Sequence, residues 1–256
     1  MQTAFCSKEC IRVSCLSFAI LGTMSRRANS ETISEEVREM LRADIFSAQW
    51  APGTRLQISE LSTRYATSST VVRDALTRLA GEKLLQFQPN RGYFIAEYTL
   101  DELRDIGELR CRIEEYGLAL AIERGDVTWE SDLIAVHHRL ERTPRRGTDD
   151  PHHITIEWFS AHQAFHAKLL EACRVPMLAD FAATLSDATA LYRLWSAPMP
   201  RAESRDIEAE HQAILDAVLA HDAPTATQLL RDHYTKTIAI IGELELARSG
   251  AGAGEN

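Results

Sequence analysis

Residues 159–170 read FSAHQAFHAKLL, and within them His162 and His166 stand four positions apart. On a helix that spacing puts both imidazoles on one face, where they can share a divalent metal ion. Zinc hydrolases use the same spacing, with a Glu beside the first His that takes a proton from metal-bound water. Here that neighbour is Gln163, an amide with no useful basicity. No nucleophile elbow, phosphate loop or C-x-x-C pair occurs elsewhere in the chain. A metal-dependent hydrolase built on this helix is therefore the lesser alternative. The pair is otherwise one wall of a metal-held pocket, or two hydrogen-bonded core histidines.

Three apolar stripes carry histidines at helical spacing. Phe159, His162, His166, Leu169 or Leu170, and Cys173 form one; Ile207, His211, Ile214 and Val218 another; Leu230, His233, Thr237 and Ile241 a third. One histidine on such a stripe is more often a core residue than a ligand. Four on three helices can converge, which favours a shared ion. His137, His138, His152 and His153 lie near helix ends and loops and read as solvated, and His221 as a residue at a helix terminus.

The elements that must position these side chains divide the chain. From residue 99 the pattern is all helical, with segments near 100–124, 129–142, 153–173, 176–196, 204–220 and 223–247, enough for a bundle with an enclosed core. Thr99 and Glu102 make a capping box at the first of them, and Asp222 caps the last ahead of Pro224. Residues 30–98 read differently: helices over 33–48, 58–65 and 69–81, then strands over 84–88 and 93–98 around Pro89–Gly92. Three helices and a two-stranded wing are the layout of a winged helix-turn-helix. Residues 1–29 read as a disordered extension rather than a signal peptide, and 248–256 as a disordered tail. The fold class expected is mainly α, a winged helix-turn-helix over 30–98 followed by an all-α bundle over 99–247.

Charge agrees with that division. The chain carries −9 overall, but residues 30–98 are near neutral at −1 and residues 99–256 carry −11. Nucleic acid, if it is a partner, meets the first segment. Five cysteines at 6, 10, 15, 111 and 173 follow no framework spacing, which reads as reduced thiols in a cytoplasmic protein. No apolar run reaches the length of a membrane span.

In the segment 69–81, Val72, Ala75, Leu76 and Leu79 face inward, leaving Thr70, Arg73 and Thr77 outward. Hydroxyls and an Arg on the second helix of such a motif suit a major groove. Ser68 caps the helix and leaves its first amides near a phosphate. Arg91-Gly92 stands at the wing tip, where Arg can enter the minor groove.

These residues resemble a known family. PGTRLQISELSTRYATSSTVVRDALTRLAGEKLL…NRGYFI is similar to the DNA-binding domain of GntR-type bacterial regulators, through Pro52, Gly53, Leu56, Leu61, Ser68, Val72, Arg73, Ala75, Leu76, Leu79, Arg91 and Gly92. The resemblance implies DNA contacts at Arg55, Ser68, Ser69, Thr70, Arg73, Arg91 and Gly92. It departs at Ser69 and Val71, where the family has Arg and Pro, so the resemblance does not carry over the family's base preference. GELRCRIEEYGLALA, HQAFH and EHQAILDAVLAHDAPTATQLLRDHY resemble the effector (FCD) domain of the FadR-type branch. That resemblance implies a metal held by an Asp and three His inside the bundle, with His162 standing in place of the Asp. A Glu157…His162…Phe165-His166…Ala172-Cys173 variant with Tyr192-Arg193 is similar to a subgroup that answers to small dicarboxylates.

Together these give His162, His166, His211 and His233 as expected metal ligands. Imidazoles favour Zn²⁺ or Ni²⁺ over Mg²⁺ or Ca²⁺. Four neutral imidazoles leave the ion's charge open to an anion, and Arg110 and Arg193 are the expected clamps for a small carboxylate or dicarboxylate effector. The expectation is a cytoplasmic transcriptional regulator, a repressor, acting as a homodimer on a pseudo-palindromic operator, with no membrane partner and no catalytic residue.

Overall fold

Helix α1 (33–46) forms because Val37, Leu41 and Ile45 return to one face every fourth residue, and all three are buried. The computed structural model describes residues 33–47, 49–148, 152–196 and 200–252. The extension expected over 1–29, with Cys6, Cys10 and Cys15, lies outside the described residues. After α1 come β1 (Arg55–Leu56), α2 (Ile58–Arg64), α3 (Ser69–Gly81), β2 (Leu85–Gln88) and β3 (Gly92–Ile95). Val72, Ala75, Leu76 and Leu79 of α3 pack into the same core as α1 and the sheet.

The two-stranded wing is corrected to a three-stranded antiparallel sheet in the order β1-β3-β2. Arg55 pairs with Phe94, and Leu85 with Ile95. β1 has two residues, too few for alternation to reveal it.

The remaining chain is helical: α4 (Leu100–Arg124), α5 (Val127–Arg142), α6 (Ile156–Glu171), α7 (Pro176–Ala188), α8 (Ala190–Trp195), α9 (Pro200–Ser204), α10 (Ile207–Leu219) and α11 (Ala223–Gly252). The capping box at Thr99 and Glu102 is formed on both sides, and Asp222 accepts from the Thr225 amide at 3.1 Å. The helix expected over 176–196 breaks at Thr189, whose hydroxyl bonds back to the Leu185 and Ser186 carbonyls. α9 is an added short turn. α11 continues through 248–252, where a disordered tail is expected, because lengthening a helix needs no new nucleus; residues 253–256 lie outside the described residues.

α11 lies along α4, α10 packs on α11, and α5 on α6. Their shared core includes Leu118, Leu133, Phe165, Leu169, Ile214 and Leu230. The two halves meet through side chains. Phe46 of α1 and Phe159 of α6 have ring centroids 5.2 Å apart, Arg42 of α1 pairs with Asp187 of α7, and the Tyr98 amide donates to the Tyr192 hydroxyl at 2.7 Å. No helix among the described residues is long and apolar enough to cross a membrane.

Candidate nucleic-acid interface and metal centre

The exposed face of α3 is defined by what its other face buries. Ser68 caps the helix, its hydroxyl accepting from the Val71 amide at 3.3 Å. Ser69, Thr70 and Arg73 then stand exposed. Arg78 of the same helix is tied to Glu35 and Asp74. Thr77 is exposed, but its hydroxyl lies 2.7 Å from the Tyr93 hydroxyl and 2.8 Å from the Arg73 carbonyl, so it fastens α3 to the wing. Arg55 and Arg91 are exposed on the sheet and its tip, with the Arg91 guanidinium 5.2 Å over Phe94. Gly92 has φ +101, and a Cβ there would meet only the Arg55 Nε, at 3.9 Å. Its backbone conformation therefore selects glycine and leaves the wing surface open beside two cations. Arg55, Arg73 and Arg91 beside the hydroxyls of Ser69 and Thr70 are the residue types that contact a duplex.

Within the bundle, α6 supplies His162 and His166, α10 supplies His211, and α11 supplies His233; all four are buried. Ring centroids are 4.5 Å apart for His162–His166 and 4.9 Å for both His162–His211 and His211–His233. One ring nitrogen from each lies within 4.8 Å of the others. The Nε2 atoms of His162, His166 and His211 are buried without a hydrogen-bond partner. An orphaned buried polar atom costs roughly 1–3 kcal/mol, so three in one place are unusual for a plain core.

Neighbouring groups fix which nitrogen is free. His233 directs Nδ1 to the Glu210 carboxylate at 2.9 Å, which makes Nδ1 the donor and leaves Nε2 as a lone pair. His166 Nδ1 lies 2.8 Å from the Tyr234 hydroxyl, which itself donates to Glu114. The chain of donors therefore runs His166 to Tyr234 to Glu114, and His166 Nε2 is also a lone pair. Arg110 pairs with Glu114 at 2.5 Å and Arg205 with Glu210 at 2.5 Å, so both carboxylates are already compensated. Burial and neighbouring imidazoles hold His162, His166 and His211 well below the ordinary histidine range. Burial outweighs the Glu210 hydrogen bond at His233 and lowers it to about 4. All four are neutral at physiological pH, as a metal requires. The donor set fits a divalent ion of imidazole preference.

A cavity of about 60 Å³ adjoins the cluster, and its walls include Arg110, Trp158, His162, Arg193, Arg205 and His233. It admits a few water-sized groups, which suits a small molecule. Arg110, expected as a free clamp, reaches the cavity already paired with Glu114. Arg193 also faces it, half-buried, donating to the Ser186 carbonyl at 2.8 Å and the Thr189 hydroxyl at 2.6 Å. Gln163 donates to Asp187 at 2.9 Å, consistent with an amide that takes no part in chemistry.

His137 is corrected from solvated to buried, edge-on to Phe165 at 5.3 Å between centroids. The spacing of Trp129, Leu133, His137 and Leu140 marks the stripe that α5 buries. His138, His152 and His153 are exposed, and His221 is exposed with φ 54 at the end of α10, bonded to Glu130. Sequence reasoning missed Arg205, Glu210 and Tyr234. The available signal is adjacency: Glu210 precedes His211 and Tyr234 follows His233. Each orients a histidine on a different helix from its own.

The chain matches the family model for the FCD domain over residues 105–236 and that for bacterial regulatory proteins of the gntR family over residues 33–95. It is 34% identical to a regulator of Paraburkholderia xenovorans, the uncharacterized HTH-type transcriptional regulator BphR, over 86% of this chain and 90% of that one. It is 33% identical to the HTH-type transcriptional repressor GlaR of Escherichia coli over 78% of this chain and 92% of that one. The E. coli McbR/YncC structure shares the fold with a TM-score of 0.70 and 21% identity, covering 83% of this chain and 98% of that one. A winged helix-turn-helix joined to a helical effector bundle, matched along both halves, places this protein in the GntR family as a DNA-binding transcriptional regulator of the FadR-type branch, with an FCD domain.

Proposed function

We propose that this regulator senses a small carboxylate at a divalent metal, Zn²⁺ or Ni²⁺, held by His162, His166, His211 and His233. The observation that carries the reading is the convergence of buried, unpartnered imidazole nitrogens beside a cavity of small-molecule size. Glu114 and Glu210 are already paired to arginines, and the ligand cluster found among the described residues contains no carboxylate to offset the ion. It would supply a positive anchor for an anionic ligand, and Arg110 and Arg193, which line the same cavity, orient that ligand.

Repression relieved by the effector is the proposed sign, supported by the repressor activity in the printed name of GlaR. The molecule acts in the cytoplasm as a homodimer, so that two α3 helices meet successive half-sites of a pseudo-palindrome. Leu109 and Tyr116 of α4 and Met177 and Phe181 of α7 are exposed apolar residues on helices in mutual contact, which supports a self-complementary patch there. Phe159 gives a route for response, since it walls the cavity and packs on Phe46 of the DNA-binding half.

Elemental analysis of protein purified without chelator tests the reading, with about one Zn or Ni per chain expected. His211→Ala and His233→Ala are expected to lose that metal and the effector response while keeping operator affinity. Full effector response in metal-free protein would remove the metal from the proposal.

A further inference from the structure

Four arginines reach the cavity beside the histidines, and they differ in what already occupies them. Arg110 and Arg205 are paired with Glu114 and Glu210. Arg145 and Arg193 have no carboxylate partner among the described residues; Arg193 is bonded only to neutral groups of Ser186 and Thr189. Arg145 is the less satisfied of the two. It comes from the irregular segment between α5 and α6, its Nη2 donates to the Ala202 carbonyl at 3.3 Å, and its Nε is buried with no hydrogen-bond partner. Its guanidinium lies 5.4 Å over the Trp158 ring, and that ring stacks on His162 at 4.8 Å. The cation is thus two stacking distances from the histidine cluster, and Arg145, Trp158 and His162 all line the cavity.

A half-buried guanidinium with an orphaned donor and no counter-charge is unfavourable unless something fills its place. Burial and the nearby Arg146 charge push Arg145 below the ordinary arginine range, the effect expected of an uncompensated cation. Its bond to Ala202 also ties the α5–α6 segment to α9, and both residues line the cavity.

We infer that Arg145 is a specificity-determining residue of the effector site: it receives a second anionic group of the ligand, on the far side of Trp158 from His162. This rests on the proposal that a carboxylate binds at the metal. The ligand then carries two anionic groups, the inner one at the ion and the outer one at Arg145. Arg145 reads the outer group.

The test is calorimetric titration of full-length, zinc-loaded protein with malonate, succinate, glutarate and adipate, each against propionate, butyrate, pentanoate or hexanoate of matching length. At least one dicarboxylate is expected to bind on the order of tenfold more tightly than its monocarboxylate partner. Arg145→Gln should erase most of that preference while leaving monocarboxylate affinity within about twofold, as loss of one charged hydrogen-bond donor predicts, and Arg145→Lys should restore part of it. A purely structural Arg145 would weaken both ligand classes alike, and that result, or equal affinities in the unsubstituted protein, overturns the inference while leaving a carboxylate at the metal intact. Failure of every carboxylate to bind removes the underlying reading as well.

Discussion

The two halves of this regulator place their working residues on opposite sides of the protein surface. In the DNA-binding half, Ser69, Thr70, Arg73 and Arg91 are exposed, and the fold's task is to hold one helix and one wing tip at a fixed spacing. In the effector half the working residues are buried, drawn from three helices, and backed by Glu210, Tyr234 and Glu114. A duplex is too large to enclose, so recognition of it is a surface property. A small anion is recognised by removing it from water, so its site needs an interior with satisfied polar groups. The division extends to composition: all nine histidines lie beyond residue 98.

Removing the proposed metal should give the largest contrast between the halves. With free ion at about a thousand times its Kd, binding stabilises by about 4 kcal/mol, so chelation is expected to lower the effector half's melting temperature by roughly 10 °C. Operator affinity of the isolated winged half should not follow it. A melting curve indifferent to chelator and to added zinc would break the comparison at its strongest point.

Acidification of the metal-free protein comes next. The four imidazoles sit below their unfolded value of 6.5, so the unfolded chain takes up protons first as pH falls. Their stabilisation is complete above 6.5 and drains downward, reaching about 4 where His233 itself protonates. At pH 5, His233 alone accounts for about 2 kcal/mol. Hydrogen exchange, corrected for its intrinsic pH dependence, should show lost protection in α6, α10 and α11 and retained protection in α1 and α3. Equal loss in both halves would dissolve the distinction.

Arg73→Ala tests the surface side. Operator affinity should fall by about 1–2 kcal/mol and the slope of log affinity against log salt by about one, with no change in melting. Gel shift over a salt series reads both, and an unchanged slope would take Arg73 off the duplex.

The smallest expected effect concerns the seam. Asp187→Asn weakens the ion pair from α7 to Arg42 of the DNA-binding half while leaving the Gln163 contact available. The change in operator affinity produced by a carboxylate that raises the melting point should shrink by about 1 kcal/mol, roughly fivefold. If the response persists in full, coupling runs through Phe46 and Phe159 without the ion pair.

Legibility in the sequence followed the same line between surface and interior. The periodicity of α3, the Ser68 cap and the Arg91-Gly92 tip are local, so a linear reading places them well. The three histidine stripes are also local, and they identified the residues that the fold brings together. Thr189, which breaks the helix expected over 176–196, and the two-residue β1 carry no local period long enough to read. His137 sat on a visible stripe, but a helix end nearby obscured it.

Pattern alone determined which faces turn inward, because helical spacing converts directly into direction. It therefore determined the division into a DNA-binding half and a helical bundle, and four of the five buried histidines. Only the tertiary structure decided which nitrogen of His166 and His233 is left free, since Tyr234 and Glu210 act on histidines of other helices. It also decided that Arg110 and Arg205 are paired with carboxylates while Arg145, among the described residues, is not. Charge compensation and hydrogen-bond satisfaction depend on distances between elements, and no spacing within one element encodes them.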